Sequence, residues 1–159
     1  MSIKPGDRIP EVPLQRIRDG VETVDTRTLF DGKKVVLFAV PGAFTPTCSE
    51  KHLPGFVEHF QAFRDKGVEV ACLSVNDPFV MQAWGRSQGV PDGLDMLADG
   101  NGEFARALGL EMDASAYGMG TRAKRFALYA EDGVVKQVHV EAPGEYRVSS
   151  AEHMLSQLD

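Results

Sequence analysis

The chain has 159 residues, of which 43% are hydrophobic and 25% are charged, and its net charge at pH 7 is −6. This length suits one domain with one core, which we place at residues 1–159. The acidic balance argues against nucleic acid or an anionic membrane as the main partner, although local arginines can still hold a small anion.

We expect no secretory signal peptide, no membrane span and no metal motif in this chain. No segment contains the roughly 18 apolar residues that a spanning helix needs, and the first seven residues lack the apolar centre of a signal peptide. We therefore expect a cytoplasmic protein. The two cysteines, Cys48 and Cys72, are too few for a disulfide scaffold and form neither a Cys-x-x-Cys pair nor a zinc cluster with histidines. We expect no metal and no cofactor.

The first forty residues predict an edge hairpin followed by a buried strand. Residues 7–17 alternate loosely and contain two prolines, and Asp19-Gly20 is a turn signal. Thr26–Phe30 is typical of one short helical turn. The near-continuous apolar run at 34–40 indicates a strand in the middle of a sheet.

A helix and a second central strand follow. We predict the helix over 50–66, with Pro54 kinking or interrupting it near its second turn and Gly67 ending it. The strand is predicted over 68–75, and the strand–helix–strand order predicts a right-handed parallel crossover. The apolar stripe that supports the helix consists of Leu53, Phe56, Val57, Phe60 and Phe63.

The second half of the chain alternates short helices and strands. We predict a helix over 79–88, a strand over Leu94–Ala98 and a helix from 99–102 through Ala107. The Gly-, Ala-, Ser- and Met-rich residues 112–121 predict an irregular loop.

A hairpin and a terminal helix complete the chain. Residues 125–130 and Val134–Val140 form the hairpin, and 149–158 form the helix, with Ser149 or Ser150 as its cap. The order of elements predicts an α/β protein with the thioredoxin-like fold, in which helices flank a central mixed sheet and an N-terminal β-hairpin is added.

Cys48 is the most informative residue, because it lies at the junction between a predicted strand and the predicted helix that follows it. Helix N-termini present unpaired N–H groups and a partial positive charge, and both favour the reactive thiolate. Pro41 can stiffen and shield the loop, and the Thr45 hydroxyl can hydrogen-bond both a thiolate and an incoming oxygen. Arg125, at the start of a strand, is the best second donor, with Arg122 as the alternative.

Four blocks of the sequence resemble the type II, peroxiredoxin-5-like peroxiredoxins. The core pattern Pro-x-x-x-Thr-x-x-Cys is highly specific, and the resemblance covers nearly the whole chain. It implies a thiol peroxidase that reduces hydrogen peroxide and organic hydroperoxides, and it implies a homodimer. The blocks lie at 41–49, 52–56, 72–79 and 124–126.

The same resemblance implies residue roles. Cys48 is then the peroxidatic cysteine, which attacks the O–O bond and becomes a sulfenic acid. Thr45 and Arg125 correspond to the residues that bind the peroxide oxygens, and Pro41 corresponds to the shielding proline. His52 matches a histidine of the family one helical turn after the cysteine, although the position alone is equally compatible with a side chain that faces solvent.

The chain departs from the family pattern in one respect. Some members carry a second, resolving cysteine before the terminal helix, where residues 144–150 of this chain contain none. Cys72 lies mid-strand in an apolar run and is expected to be structural, since its use as a resolving thiol would require the Cys48 turn to unfold. We therefore expect a one-cysteine cycle, with glutathione and glutaredoxin, or thioredoxin, as the reductant.

Two other functions remain open at this point. One is a Cys/His hydrolase that uses Cys48 and His52, for which a third orienting group and an oxyanion hole are not evident. The other is a non-enzymatic redox sensor or holdase that uses oxidation of Cys48 as a switch.

Two further expectations concern side-chain positions. The aromatic residues Phe44, Phe79 and Trp84 belong either to the core or to an apolar patch for a second subunit, and His59, His139 and His153 are expected on the surface.

Overall fold

The two longest apolar runs form neighbouring parallel strands in the middle of a seven-stranded sheet. β3 (Lys34–Ala39) and β4 (Val68–Ser74) pair from Lys34↔Val68 to Ala39↔Leu73. β5 (Leu94–Ala98) continues the parallel part beside β4. The structure is a computed structural model that describes residues 2–158.

Antiparallel hairpins extend both sides of this parallel centre. β1 (Pro13–Ile17) and β2 (Val21–Asp25) form the N-terminal hairpin, and β8 (Phe126–Glu131) and β9 (Val134–Val140) form the other. The strand order is β2-β1-β5-β4-β3-β8-β9. The mixed sheet and its added hairpin confirm the predicted α/β, thioredoxin-like fold.

Six short α-helices pack on the sheet, and none among residues 2–158 is both long and apolar enough to cross a bilayer. Their bounds agree with the predicted helices except between β3 and β4. They are α1 (Thr26–Phe30), α2 (Leu53–Glu58), α3 (Phe60–Asp65), α4 (Pro78–Ser87), α5 (Glu103–Leu108) and α6 (Ala151–Gln157).

The helical segment between β3 and β4 differs from the predicted helix over 50–66. It begins at Pro46, and Cys48–His52 form a π-helical turn in which the Leu53 N–H donates to the Cys48 carbonyl. Pro54 lies in the first turn of α2 and has no N–H to donate. The wider π turn directly before α2 accommodates the missing hydrogen bond. The helix is interrupted instead at His59, between α2 and α3, whose φ and ψ are −97° and 9°.

The prediction of an irregular loop at 112–121 was wrong. β6 (Glu111–Asp113) and β7 (Thr121–Ala123) form a small antiparallel sheet around a 3₁₀ turn at Ser115–Tyr117. Glycines at 118 and 120 have φ of 72° and 67°, which lets the chain reverse tightly. Strands of three residues are too short to give an alternating pattern in the sequence.

Alternation along the strands separates two apolar layers. Along β3, Val36 and Phe38 face one layer, whereas Val35 and Leu37 face the other. The first layer lies under α2, α3, α4 and α6, and it contains both cysteines. The second lies under α1 and α5. The loop after β3 therefore places Cys48 in the first apolar layer.

Candidate active site

Cys48 lies in the first turn of the helix that follows β3. Pro46 suits the start of a helix because its fixed φ is already helical and it lacks an N–H that would go unpaired. The Ser49 N–H donates to the Thr45 carbonyl at 2.9 Å, which closes the first turn around the cysteine. The side chain of Cys48 is fully buried.

The loop before Cys48 is held by the loop that follows β4. The backbone N–H of Ala43 donates to Oδ1 of Asn76 at 3.0 Å. Phe44, the next residue, has a φ of +64°, a conformation that costs a residue with a side chain free energy and is maintained only when its surroundings fix it. The shape of this loop is therefore set by contacts from a neighbouring strand end.

Thr45 and Pro41 shape the rim of the site. The Thr45 hydroxyl donates to the Gly42 carbonyl at 2.6 Å, which leaves its oxygen lone pairs available to accept from another group. The Pro41 carbonyl accepts from Nη1 of Arg122 at 3.4 Å, and Nε of Arg122 donates to the Met119 carbonyl at 2.8 Å. Arg122 thus contacts the rim rather than the cysteine.

Arg125 contacts the sulfur directly. It immediately precedes β8, and its Nη2 lies 3.2 Å from Sγ of Cys48. Its Nη1 lies 2.9 Å from Nδ1 of His52. Among residues 2–158 no carboxylate lies within 4.0 Å of this guanidinium, so its charge is balanced by no ion pair there. The positive charge therefore attracts negative charge that develops on a group bound beside it.

His52 is buried rather than facing solvent, which corrects one of the two alternatives drawn from its position. A guanidinium only donates, so Nδ1 accepts from Arg125, and Nε2 carries the hydrogen that is donated to the Ser149 carbonyl at 2.9 Å. Burial, together with the nearby Arg125 charge, lowers the pKa of His52 to about 3. The imidazole is therefore neutral, with a defined tautomer.

Two residues whose roles the sequence did not predict, Glu141 and Ser149, lie behind His52. The buried carboxylate of Glu141 accepts from the backbone N–H groups of Arg147, Val148 and Ser149, and from the Ser149 hydroxyl. Burial opposes ionisation of Glu141, but these hydrogen bonds outweigh burial and lower its pKa. No sequence signal identifies the contact between Ser149 and His52, because these residues are 97 positions apart.

The chain matches known proteins over nearly its whole length. Residues 4–155 match the family model described as Redoxin. Peroxiredoxin-2E, chloroplastic, from Arabidopsis thaliana is 49% identical over an alignment of 163 residues, which covers 99% of this chain and 70% of the relative. The solved structure of reduced Prx3 in complex with hydrogen peroxide from Vibrio vulnificus superposes with a TM-score of 0.95 at 47% identity, covering 99% of both chains. Peroxiredoxin 5 from Alvinella pompejana gives a TM-score of 0.87 at 35% identity, covering 98% of this chain and 97% of that one.

The chain belongs to the redoxin family as a type II, peroxiredoxin-5-like peroxiredoxin. Its activity is that of a thiol-dependent peroxidase, with a peroxide as substrate and a thiol as reductant.

The second cysteine of this peroxiredoxin is held away from solvent. Cys72 is fully buried on β4, where its register partners are Phe38 on β3 and Met96 on β5. Burial, and then the proximity of Cys48, raise the pKa of Cys72 well above its ordinary value. Its sulfur is therefore a protonated thiol in the folded peroxiredoxin.

The remaining histidines and aromatic side chains fall into distinct environments. His59, His139 and His153 lie at the surface but are half-buried there, and the rings of the last two lie 4.9 Å apart. Trp84 is buried in the core, whereas Phe44 and Phe79 are 56% and 66% exposed.

Acidification should destabilise the folded peroxiredoxin through His52. The pKa of this group is about 3 in the folded chain, below its ordinary value of 6.5. The unfolded chain therefore binds the proton first, and stability falls as the pH drops from about 6.5 towards 3, by up to about 1.4 kcal/mol per pH unit. Urea unfolding at a series of pH values measures this slope.

The variant His52→Asn isolates this contribution, because asparagine can still accept from Arg125 but does not titrate. Its unfolding free energy should decline less steeply than that of the wild type between about pH 6 and pH 4. Parallel curves for the two proteins would show that His52 is not the group responsible.

Proposed function

We propose that this peroxiredoxin reduces hydrogen peroxide and small organic hydroperoxides at Cys48, in a one-cysteine cycle that a small thiol such as glutathione completes with glutaredoxin or thioredoxin. The contact that carries the proposal is the 3.2 Å approach of Arg125 Nη2 to the Cys48 sulfur. This contact places a fixed positive charge beside the reacting atom.

In the first step the Cys48 thiolate attacks one peroxide oxygen. The S–O bond forms as the O–O bond breaks, and the leaving oxygen takes up a proton and departs as water or an alcohol. Cys48 is left as a sulfenic acid. Two electrons pass from the sulfur to the peroxide, so this step needs no further reactant.

Arg125 stabilises the charge that moves during this step, and Thr45 orients the peroxide. Negative charge passes from the sulfur to the leaving oxygen, and the uncompensated guanidinium is in place to attract it throughout. The Thr45 hydroxyl, which already donates to the Gly42 carbonyl, accepts a hydrogen bond from the peroxide O–H and so orients the substrate. Pro41, half-buried at the rim, limits the access of water.

The one-cysteine cycle is supported by the environment of Cys72. Residues 144–150 contain no cysteine, and Cys72 is a buried, protonated thiol in the sheet. The sulfenic acid of Cys48 would therefore condense with a small thiol, releasing water and forming a mixed disulfide. A second thiol, from glutathione, glutaredoxin or thioredoxin, then releases Cys48 by exchange.

A homodimer is part of this proposal. Phe44 and Phe79 are large, exposed side chains. Phe44 follows Ala43 and Phe79 lies three residues after Asn76, and the Ala43–Asn76 hydrogen bond joins these two loops. Apolar side chains of this size are typical of a surface that a second subunit covers. Each active-site loop would then lie next to the interface.

Replacing Arg125 by alanine should lower the rate constant for oxidation of Cys48 by about 10²–10³-fold, because the donor beside the sulfur is lost. Arg122→Ala removes a guanidinium that contacts only the rim, so its effect should be smaller, and Cys48→Ser should abolish the reaction. Competition with horseradish peroxidase for hydrogen peroxide measures all three. A larger loss in Arg122→Ala than in Arg125→Ala would assign the roles the other way round.

Replacing Cys72 by serine should leave peroxide turnover with glutathione and glutaredoxin within about twofold of the wild type, since the sulfenic acid is resolved by an external thiol. Mass spectrometry after one equivalent of peroxide and glutathione should show glutathione on Cys48. A Cys48–Cys72 disulfide together with lost turnover in Cys72→Ser would defeat the one-cysteine cycle.

Replacing Phe79 by glutamate should shift the protein from dimer to monomer, because a charge would be buried at the interface. Light scattering after size-exclusion chromatography measures the mass. Val21→Glu, on the edge strand β2, changes an exposed apolar residue to the same charge and should leave the dimer intact. A monomeric wild type would rule the dimer out.

A further inference from the structure

A continuous path of hydrogen bonds joins the end of β9 to the sulfur of Cys48. Its members are Glu141, Ser149, His52 and Arg125. Of these four, Arg125 hydrogen-bonds to the sulfur. His52 lies on the π turn, and Glu141 and Ser149 lie on the segment after β9. We refer to Glu141, Ser149 and His52 as the support chain.

The support chain begins at a carboxylate that is 7% exposed. Oε2 of Glu141 accepts from the Ser149 N–H at 2.8 Å and from the Ser149 hydroxyl at 2.7 Å. The N–H groups of Arg147 and Val148 also donate to it, at 2.8 and 2.9 Å. Charge-assisted hydrogen bonds of this kind are strong, and together they fix the backbone that leads into α6.

The fixed backbone presents one carbonyl to His52. Because the Ser149 carbonyl can only accept, it retains the hydrogen of the imidazole on Nε2 and leaves Nδ1 as an acceptor. Two rings hold the imidazole plane as well. Phe38 lies below it with ring centres 5.0 Å apart, and Tyr146 of the same segment meets it edge-on at 5.3 Å.

The imidazole in turn orients the guanidinium. With Nη1 of Arg125 held by Nδ1, the planar fork directs Nη2 at the sulfur. Glu141 also fixes the other end of the arginine, since its own backbone N–H donates to the Arg125 carbonyl at 2.9 Å. One residue therefore constrains both the main chain and the side-chain direction of Arg125.

We propose that Glu141 is a positioning residue for peroxide reduction, which acts through Ser149 and His52 to aim Arg125 at the reacting sulfur. The proposal rests on the proposed function in one respect, namely that Arg125 serves the peroxide step. A donor that is already aimed needs no reorganisation as charge develops, and this is where such a support contributes to the rate.

The first test compares two substitutions in the same segment. Glu141→Gln removes the negative charge and replaces one acceptor oxygen by an NH₂ group, so the charge-assisted hydrogen bonds that anchor the segment are weakened. We expect the rate constant for oxidation of Cys48 to fall about tenfold. Glu145→Gln, which removes an exposed partner of Arg147, should change it less than about twofold. A Glu141→Gln rate within twofold of the wild type would overturn the proposal.

The second test separates positioning from loss of stability. Glutamine at position 52 can still donate to the Ser149 carbonyl but offers Arg125 no acceptor at the Nδ1 position. In the His52→Gln background, Glu141→Gln should therefore cost less than about twofold in rate, although it still lowers the melting temperature. An equal tenfold loss in both backgrounds would mean that Glu141 acts only through general stability, and the positioning role would fail.

Ser149→Ala repeats the comparison should Glu141→Gln not fold. It removes the hydroxyl donor to Glu141 while keeping the carbonyl that His52 uses, so we expect about a threefold loss that disappears in the His52→Gln background. No loss, or an equal loss in both backgrounds, would count against the proposal. Arg125→Ala separates the two levels. If it leaves the rate unchanged, the role of Arg125 fails as well, whereas if it lowers the rate and the support-chain variants do not, only the role of Glu141 fails.

Discussion

The guanidinium of Arg125 lies against a buried sulfur with no carboxylate to neutralise it among residues 2–158, and the rest of the site is arranged around this constraint. A charge in such surroundings is costly unless its donors are occupied. A neutral imidazole meets that requirement, because it accepts a hydrogen bond without cancelling the charge. A carboxylate in the place of His52 would have satisfied the donors but would have weakened the attraction for the negative charge of the reaction.

The constraint also explains why His52 is kept uncharged. A protonated imidazole could not accept from Arg125, and two positive groups would face each other beside the sulfur. Burial and the Arg125 charge both disfavour the proton. The negative charge of Glu141 is compensated by backbone N–H groups instead, so it supports the site without entering it.

The sequence was sufficient for the strands of the large sheet and for the residues nearest the sulfur. Continuous apolar runs predicted β3 and β4, and the Pro41, Thr45 and Cys48 spacing identified the loop between strand and helix. Local patterns could not predict the π turn, since residue composition does not distinguish a π turn from an α-helical turn. They also could not place Ser149 against His52, because that contact depends on how the C-terminal segment returns across the sheet. The three-residue strands β6 and β7 escaped for a simpler reason, as they contain too few residues to show a period.

The core position of Trp84 has a consequence for observing the chemistry. Its indole N–H donates at 3.0 Å to the hydroxyl of Ser49, the residue next to Cys48 along the chain, and the sequence contains no other tryptophan. All indole emission therefore originates from a ring bonded to the turn that holds the nucleophile. Trp84 is therefore an intrinsic fluorophore that is hydrogen-bonded to the residue next to Cys48, and its ultraviolet-excited fluorescence reports on that turn without any added dye.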